Sequence, residues 1–380
     1  MKYKITFCMF QIITGGIENI LLNVIKELSA TGNYDIRVLS SNPVKEKYFL
    51  DFFKRYGVKL IDVDTYVGAP RPKNFFKRKL QYIKRYINNK KILNYLSKTD
   101  VLIDYFNGYF FYSIKNIPVK KILFPHCSLN VFLLHGEKNL YEMLKTYDKI
   151  ICISKSFYNG MISLYPEFKD KFVCIYNPID IYHIKNKSQE AEIVQNGGLY
   201  FTSVARLSEE KDHETLLRAF ALFLKNENFP NIKLYILGSG PLKEQWEQLS
   251  ESLKIDKNVV FLGNVLNPYK YVKGAIANIL SSFGEGLPTV LIEAQVLNTL
   301  NIASNVESGI SEILMNGDAG ILFESKNVFD LAKKMSDVYN NRIDKNLMLK
   351  TAKKGLKRFD IKDRCKDIDK EFKKILCNTK

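Results

Sequence analysis

Two glutamates in the stretch FGEGLPTVLIEAQ, Glu285 and Glu293, are separated by seven residues. Glu285 lies on a glycine-flanked turn that follows a strand-like run, AIANILSS. Pro288 then opens a helix-period segment, and Glu293 falls inside it. The N–H groups near Leu287 to Val290, Thr289 among them, would be unpaired at that helix start, and Gly286 leads into them. Unpaired N–H groups at the positive end of a helix dipole attract an anion. Carboxylates accept hydrogen bonds from sugar hydroxyls. One acid ahead of an anion site and one behind it suit an elongated ligand with phosphate at its middle and hydroxyl-rich ends. A nucleotide sugar has that layout.

Two cations stand earlier, in SVARLSEEKDHETLLRAF. Arg206 ends a strand-like run and Lys211 follows five residues later. Such a pair suits a diphosphate and would need no metal if both reach the bridging oxygens; in so basic a chain it also reads as two ordinary surface cations. Gly15 and Gly16 lie between a strand and a helix in TGGIENILLN, and Gly238 to Gly240 close a strand in LYILGSGPLKEQW. Glycine there lets backbone approach a ligand, or serves only the steric needs of a tight turn. His126 ends the strand-like KKILFPH. The six cysteines are scattered without CxxC spacing, and the four histidines are dispersed, so no metal centre is expected. The cysteines read as small buried apolar residues of a reducing cytoplasm.

The elements that must hold these residues alternate. Short apolar runs (KITFCMF, YDIRVLSS, VLIDYF, KIICIS) interleave with helix-period segments such as GGIENILLNVIKELSA. That order predicts an α/β fold with parallel, doubly wound sheets. The pattern restarts after residue ~185, beyond the polar stretch KNKSQEAEIVQNGG. Two Rossmann-like domains are expected, residues 1–184 and 185–359. Open α/β sheets bind ligands beyond the carboxyl ends of their strands, so two such domains would face a central cleft.

The chain has 380 residues and a formal net charge of +17, which favours polyanionic or phosphorylated partners. No recognisable RNA- or DNA-binding motif accompanies the charge, so no nucleic-acid partner is expected. The opening MKYKITFCMFQIITGG lacks a small-residue cleavage site and reads as a buried strand. No apolar run reaches the ~18 residues of a membrane span. The segment Arg71 to Lys98 contains ten basic residues and no acid, with Phe75, Phe76, Leu80, Tyr82, Ile83, Tyr86, Ile87 and Leu93 interleaved at roughly helical spacing. It reads as a helix that lies on an anionic membrane surface; the plainer alternative is an ordinary surface helix packed on its own domain.

Taken in order, the segments resemble one family. GEGLPTVLIEA resembles the E-x7-E motif of retaining glycosyltransferases of the family 4 type. GGIENILLNVIKEL, YNPID, ARLSEEKDHETLLRAFA, LGSGPLKEQWEQLSESLKIDKNVVFLGNV and SGISEILMNGDAGILF are similar to the same family, so the resemblance spans nearly the whole chain. It implies the GT-B fold, a nucleotide sugar held mainly by the second domain, and a C-terminal helix, residues 360–380, that returns to the first. By resemblance, Arg206 and Lys211 neutralise the donor diphosphate, Glu293 holds the ribose hydroxyls and Glu285 the transferred sugar. Gly16 lets the first domain's helix face the phosphates, and His126 faces the reacting sugar. The sequence departs from the family where members carry EAMACGLPVVAS: here EAQVLNTLNIAS puts Asn298 for a glycine and Leu300 for a proline. Ser308 replaces the first glycine of a later pair, while Gly309 and Glu312 remain.

The expectation is a metal-independent retaining hexosyltransferase, with no cofactor, using a nucleotide diphosphate sugar such as a UDP-sugar. The acceptor would be a lipid-linked or polysaccharide glycan of a bacterial surface, reached from the cytoplasmic face by peripheral association with the inner side of the membrane. A soluble sugar transferase making a disaccharide or starch-like product is one alternative. A catalytically inactive partner subunit of another transferase is the other.

Overall fold

The computed structural model describes residues 2–62, 90, 93–190, 198–227 and 231–377. Most of the basic segment Arg71 to Lys98 lies outside these residues, as does most of the polar stretch after residue 190. The chain divides into two compact units. The first comprises residues 1–153, 157–178 and 361–380; the second comprises 154–156 and 179–360.

The first unit is built on seven parallel strands: β1 (Tyr3–Met9), β2 (Tyr34–Ser40), β3 (Lys59–Asp62), β4 (Val101–Asp104), β5 (Lys120–Leu123), β6 (Lys149–Cys152) and β7 (Phe172–Cys174). Their order is β3-β2-β1-β4-β5-β6-β7, so the winding reverses between β1 and β4. Buried strands of a doubly wound sheet must be apolar on both faces. Accordingly Ile5, Phe7, Cys8 and Met9 of β1 are all inaccessible to solvent. The helix Gly16–Ala30 follows β1 and buries Ile20, Leu21, Val24, Ile25 and Leu28, one stripe at helical spacing. Each such side chain contributes about 1.5–3 kcal/mol on burial. The C-terminal helix Ile361–Cys377 groups with this unit. Tyr34 donates to Asp369 at 2.6 Å, and Phe372 packs edge-on against Tyr34.

The second unit repeats the plan with β8 (Tyr200–Val204), β9 (Lys233–Leu237), β10 (Val259–Gly263), β11 (Asn278–Leu280), β12 (Asn301–Asn305) and β13 (Ile321–Glu324). The order is β10-β9-β8-β11-β12-β13, all parallel, with the reversal between β8 and β11. A buried polar ladder ties the centre together: Asn278 donates to Asn301 at 3.0 Å, and Asn301 donates to the Leu291 carbonyl at 2.9 Å. Buried amides are tolerated because they are hydrogen-bonded in this way.

The helix Ile181–Lys187 also belongs to the second unit. The division therefore falls after Pro178, ahead of the position 184 expected from composition. The Lys187 carbonyl accepts from Asn267 at 2.7 Å, which draws that helix to the loop beyond β10. The six cysteines are free thiols. Cys8, Cys152 and Cys365 are buried, whereas Cys377 is exposed, unlike the buried role expected for all six.

Candidate functional site

In the second unit the polar residues gather at the carboxyl ends of β8 and β11, the two strands between which the winding reverses. Beyond β8 the chain makes a short 3-10 turn, Glu209–Lys211, then a left-handed Asp212 (φ 48°), before the helix His213–Glu227 begins. This turn is fastened to the loop beyond β11. The Ser281 hydroxyl donates to the Lys211 carbonyl at 2.8 Å, and the Phe283 N–H donates to the Glu210 carbonyl at 3.0 Å. The Lys211 ammonium then meets Glu285 at 2.6 Å, with both side chains largely buried. Two residues 74 apart in sequence thus form one charged pair.

Arg206 is exposed on the loop between β8 and that turn. The loop is held by its neighbour: the Leu207 N–H donates to the Ser239 carbonyl at 2.9 Å. Gly238 explains how the two loops come so close. Its φ is +135°, and a Cβ there would stand 2.1 Å from the Ala205 carbonyl oxygen. The steric reading of this glycine is therefore sufficient for its presence; it shapes the loop that carries Arg206.

Gly286 and Leu287 are buried, and the helix Thr289–Val296 begins directly after Pro288, its N-cap. Proline offers no capping side chain, so no side-chain cap occupies this helix start. The Gly286 carbonyl accepts from the Gly309 N–H at 2.9 Å, and a Cβ at 309 would meet that same carbonyl at 2.5 Å. The retained Gly309 thus serves close packing beneath the Gly286–Leu287 turn. Ser308, the departure beside it, caps the helix Gly309–Ile313 through its hydroxyl, which accepts from the Ile310 N–H at 3.1 Å. Glu293, one turn into its own helix, is partly buried; burial pushes its carboxyl up to about 7, against an opposing hydrogen bond from Thr289. Asn298, in place of the expected glycine, adopts φ 59° just past the end of that helix. Asparagine is among the few residues that enter this region readily.

The first unit holds the other two predicted residues. Gly16 opens the helix Gly16–Ala30 and is exposed; its N-cap is Gly15, again without a side-chain cap. His126 lies beyond β5 with its ring against Tyr105 (4.5 Å between centroids) and stacked on Phe124 (6.1 Å). Its Nε2 is buried with no hydrogen-bond partner, and burial lowers its pKa to about 3. The imidazole is neutral at any physiological pH.

Two residues near His126, Asn107 and Asp104, escaped sequence reasoning. Asn107 accepts the His126 N–H through its side-chain oxygen, while its own carbonyl lies 2.9 Å from the His135 Nε2. Asp104, at the end of β4, is wholly buried and accepts from the Phe110 N–H at 3.0 Å and the Tyr147 hydroxyl at 2.8 Å. Burial raises the Asp104 carboxyl to about 6, with those hydrogen bonds opposing. The signal for Asn107 was the Asn-Gly pair after a strand, in YFNGYFF; the pair takes φ 55° and 83°, as such pairs do in turns. Among the described residues, no group of three or more His, Cys, Asp or Glu comes together to hold a metal.

Two parallel doubly wound units of seven and six strands define a class, the GT-B fold. The whole chain superposes on Anabaena HepE in complex with UDP-glucose with a TM-score of 0.76, at 15% identity, covering 98% of this chain and 99% of that one. Residues 185–356, most of the second unit, match the family model described as glycosyl transferases group 1. An uncharacterized glycosyltransferase of Methanocaldococcus jannaschii is 32% identical over 46% of this chain and 44% of its own length. N-acetylgalactosamine-N,N'-diacetylbacillosaminyl-diphospho-undecaprenol 4-alpha-N-acetylgalactosaminyltransferase of Campylobacter jejuni is 31% identical over 47% of each chain. The match thus spans about half the length of these curated relatives.

Proposed function

We propose that this chain is a retaining glycosyltransferase that moves a hexose or N-acetylhexosamine from a nucleotide diphosphate sugar, such as a UDP-sugar, to a lipid-linked or polysaccharide acceptor in bacterial surface glycan synthesis. The observation that carries the reading is the Lys211–Glu285 pair at 2.6 Å, beside an uncapped helix start and the Arg206 loop, where the second sheet reverses its winding. Ligands of open α/β sheets bind at that point. The UDP-glucose complex of HepE and the diphospho-undecaprenol substrate in the name of the Campylobacter relative support the donor and acceptor classes.

In this reading the diphosphate lies against Arg206, Lys211 and the N–H groups of Thr289 and Val290. The ammonium of Lys211 carries three donors, so it can hold Glu285 and a phosphate oxygen together. Glu285, oriented by Lys211, accepts hydroxyls of the transferred sugar, and Glu293 accepts those of the ribose. The bond from the anomeric carbon to the β-phosphate oxygen breaks, and its electron pair stays on that oxygen. Positive charges fixed in advance stabilise the phosphate as it leaves, without a metal. The acceptor hydroxyl bonds to the anomeric carbon on the same face, and the departing phosphate takes its proton. Neutral His126 donates or accepts a hydrogen bond at the sugar but carries no charge into the step. Peripheral binding to the inner membrane face is part of the proposal; its support is the composition of Arg71 to Lys98.

The test is thermal stability of the purified protein against UDP, GDP, ADP, dTDP and CMP. A nucleotide at ~100 times its dissociation constant adds about 2.7 kcal/mol. The expected result is a raised midpoint with one nucleotide, abolished by Glu293→Ala. A flat response to all five, with the protein folded, overturns the donor assignment and favours a partner-subunit role.

A further inference from the structure

The first unit reverses its winding between β1 and β4, and three aromatic residues stand just beyond the ends of those strands. Phe10 follows β1; Phe106 and Tyr109 follow β4. Their rings form one cluster, with centroids 4.8 Å apart for Phe10–Tyr109, 5.7 Å for Phe10–Phe106 and 6.3 Å for Phe106–Tyr109. All three keep part of their surface exposed, whereas Tyr105, Phe110 and Phe111, interspersed among them, are buried. Leaving aromatic surface in water forgoes burial energy of about 25 cal/mol per Å². The chain had buried positions on either side for rings of the same size.

The backbone beneath the cluster is fixed. The Asp104 carboxylate accepts from the Phe106 and Phe110 N–H groups at 3.2 and 3.0 Å. The Phe10 carbonyl accepts from Asn42 at 3.0 Å, and the Tyr109 N–H donates to the Phe106 carbonyl at 2.9 Å. Asn107, next to Phe106, binds the His126 backbone. The backbone that carries Phe106 is thus tied through Asn107 to that of His126, the histidine that the proposed reaction places at the sugar.

We propose that Phe10, Phe106 and Tyr109 form a stacking platform for a pyranose ring of the acceptor glycan. The inference rests on the glycosyltransferase reading above and names its acceptor subsite. A pyranose presents one face of C–H groups, weakly positive, which suits the negative face of an aromatic ring. Its hydroxyls point outward around the ring edge, so stacking leaves them hydrated. The position lies beyond the carboxyl ends of β1 and β4, at the switch point of the sheet, where open α/β sheets take ligands.

The experiment is saturation-transfer difference NMR with the full chain, irradiating aromatic protons. The probes are the methyl glycosides of glucose, galactose, N-acetylglucosamine and N-acetylgalactosamine. The wild-type protein should pass saturation to the C–H protons of one face of at least one probe. Phe10→Ala and Phe106→Ala should each reduce that transfer by about fivefold, the size of one lost aromatic contact, while Phe106→Trp should retain it. Circular dichroism and melting temperature confirm that each variant is folded. Equal transfer in the wild type and both alanine variants overturns the platform, as does no transfer to any probe. Loss of the nucleotide-induced thermal shift in a folded Phe106→Ala variant would assign the rings to the donor base instead and also overturn it. If nucleotide binding itself is absent in the wild type, the donor reading fails separately from this one.

Discussion

At the scale of single residues, the charged pair is the most direct target. Lys211 is the cation drawn into the core of the site, and Glu285 is its partner at 2.6 Å. Lys211→Ala removes the charge that the proposal assigns to the leaving phosphate and strands a largely buried carboxylate. Turnover should fall by well over tenfold, as for other fixed charge-stabilising donors, in a steady-state transferase assay. Near-normal turnover would remove Lys211 from the step. Glu293 makes a prediction about pH. Its folded pKa of about 7 lies above the ordinary carboxylate value, so the folded state holds a proton that the unfolded state has lost between about pH 4.5 and 7. Stability from this group is therefore greatest at low pH and is lost as pH rises through that window. Glu293→Gln should raise the melting temperature by about 2–4 °C at pH 8 and by little at pH 5. Nucleotide affinity should run the other way. The ionised form is the better acceptor of ribose hydroxyls, so wild-type binding should weaken between pH 8 and pH 6, a trend that isothermal titration would show and that Glu293→Gln would flatten.

At the scale of elements, turns rather than helices decide where the charges stand. The loop carrying Arg206 is pressed against the turn after β9 so closely that Gly238 admits no side chain. Gly238→Ala should cost about 1–3 kcal/mol or more, because backbone must shift and φ is left-handed. It should lower the melting temperature and weaken nucleotide binding together. Asn298 offers the opposite case. Its φ of 59° is one that asparagine tolerates and glycine takes freely. Asn298→Gly should leave thermal stability within about 0.5 kcal/mol of wild type, whereas Asn298→Val should lose about 1–2 kcal/mol. The sequence departure at this position therefore leaves the turn's conformation in place. How legible these elements were depended on periodicity. The helix Gly16–Ala30 and the strands β1, β2, β4, β5, β6, β8, β9, β10 and β11 follow from apolar spacing and were readable, whereas the short runs of β3 and β7 and the strands β12 and β13 were not singled out. The 3-10 turn Glu209–Lys211 and the left-handed Asp212 were not, since their conformation is imposed by hydrogen bonds to the loop beyond β11.

At the scale of the whole molecule, net charge is the dominant property. The proposed membrane association draws on the net charge of +17, since about 1 kcal/mol accrues per basic residue near an anionic surface. No helix among the described residues is long and apolar enough to cross a membrane. Flotation with liposomes should show binding to vesicles containing phosphatidylglycerol and little binding to neutral phosphatidylcholine vesicles. The bound fraction should fall as salt shortens the screening length from about 10 Å at 0.1 M toward 3 Å at 1 M. Replacing the basic residues of Arg71 to Lys98 by glutamine should abolish flotation; undiminished binding would move the contact elsewhere on the chain.

The amino-acid sequence by itself determined the two α/β units, the strand-end position of nearly every polar candidate and the helix start after Pro288, because apolar period and proline chemistry are local. Only the tertiary structure decided that Lys211 is already paired with Glu285, that Gly238 and Gly309 answer to carbonyls on other loops, and that His126 sits in an aromatic setting that keeps it neutral. It also placed Phe10 beside Phe106 and Asn107 beneath His126. These are contacts between segments far apart in the chain. They arise from which strands lie side by side in each sheet, β1 with β4 and β4 with β5 in one, β9 with β8, β8 with β11 and β11 with β12 in the other, and no local periodicity encodes that order.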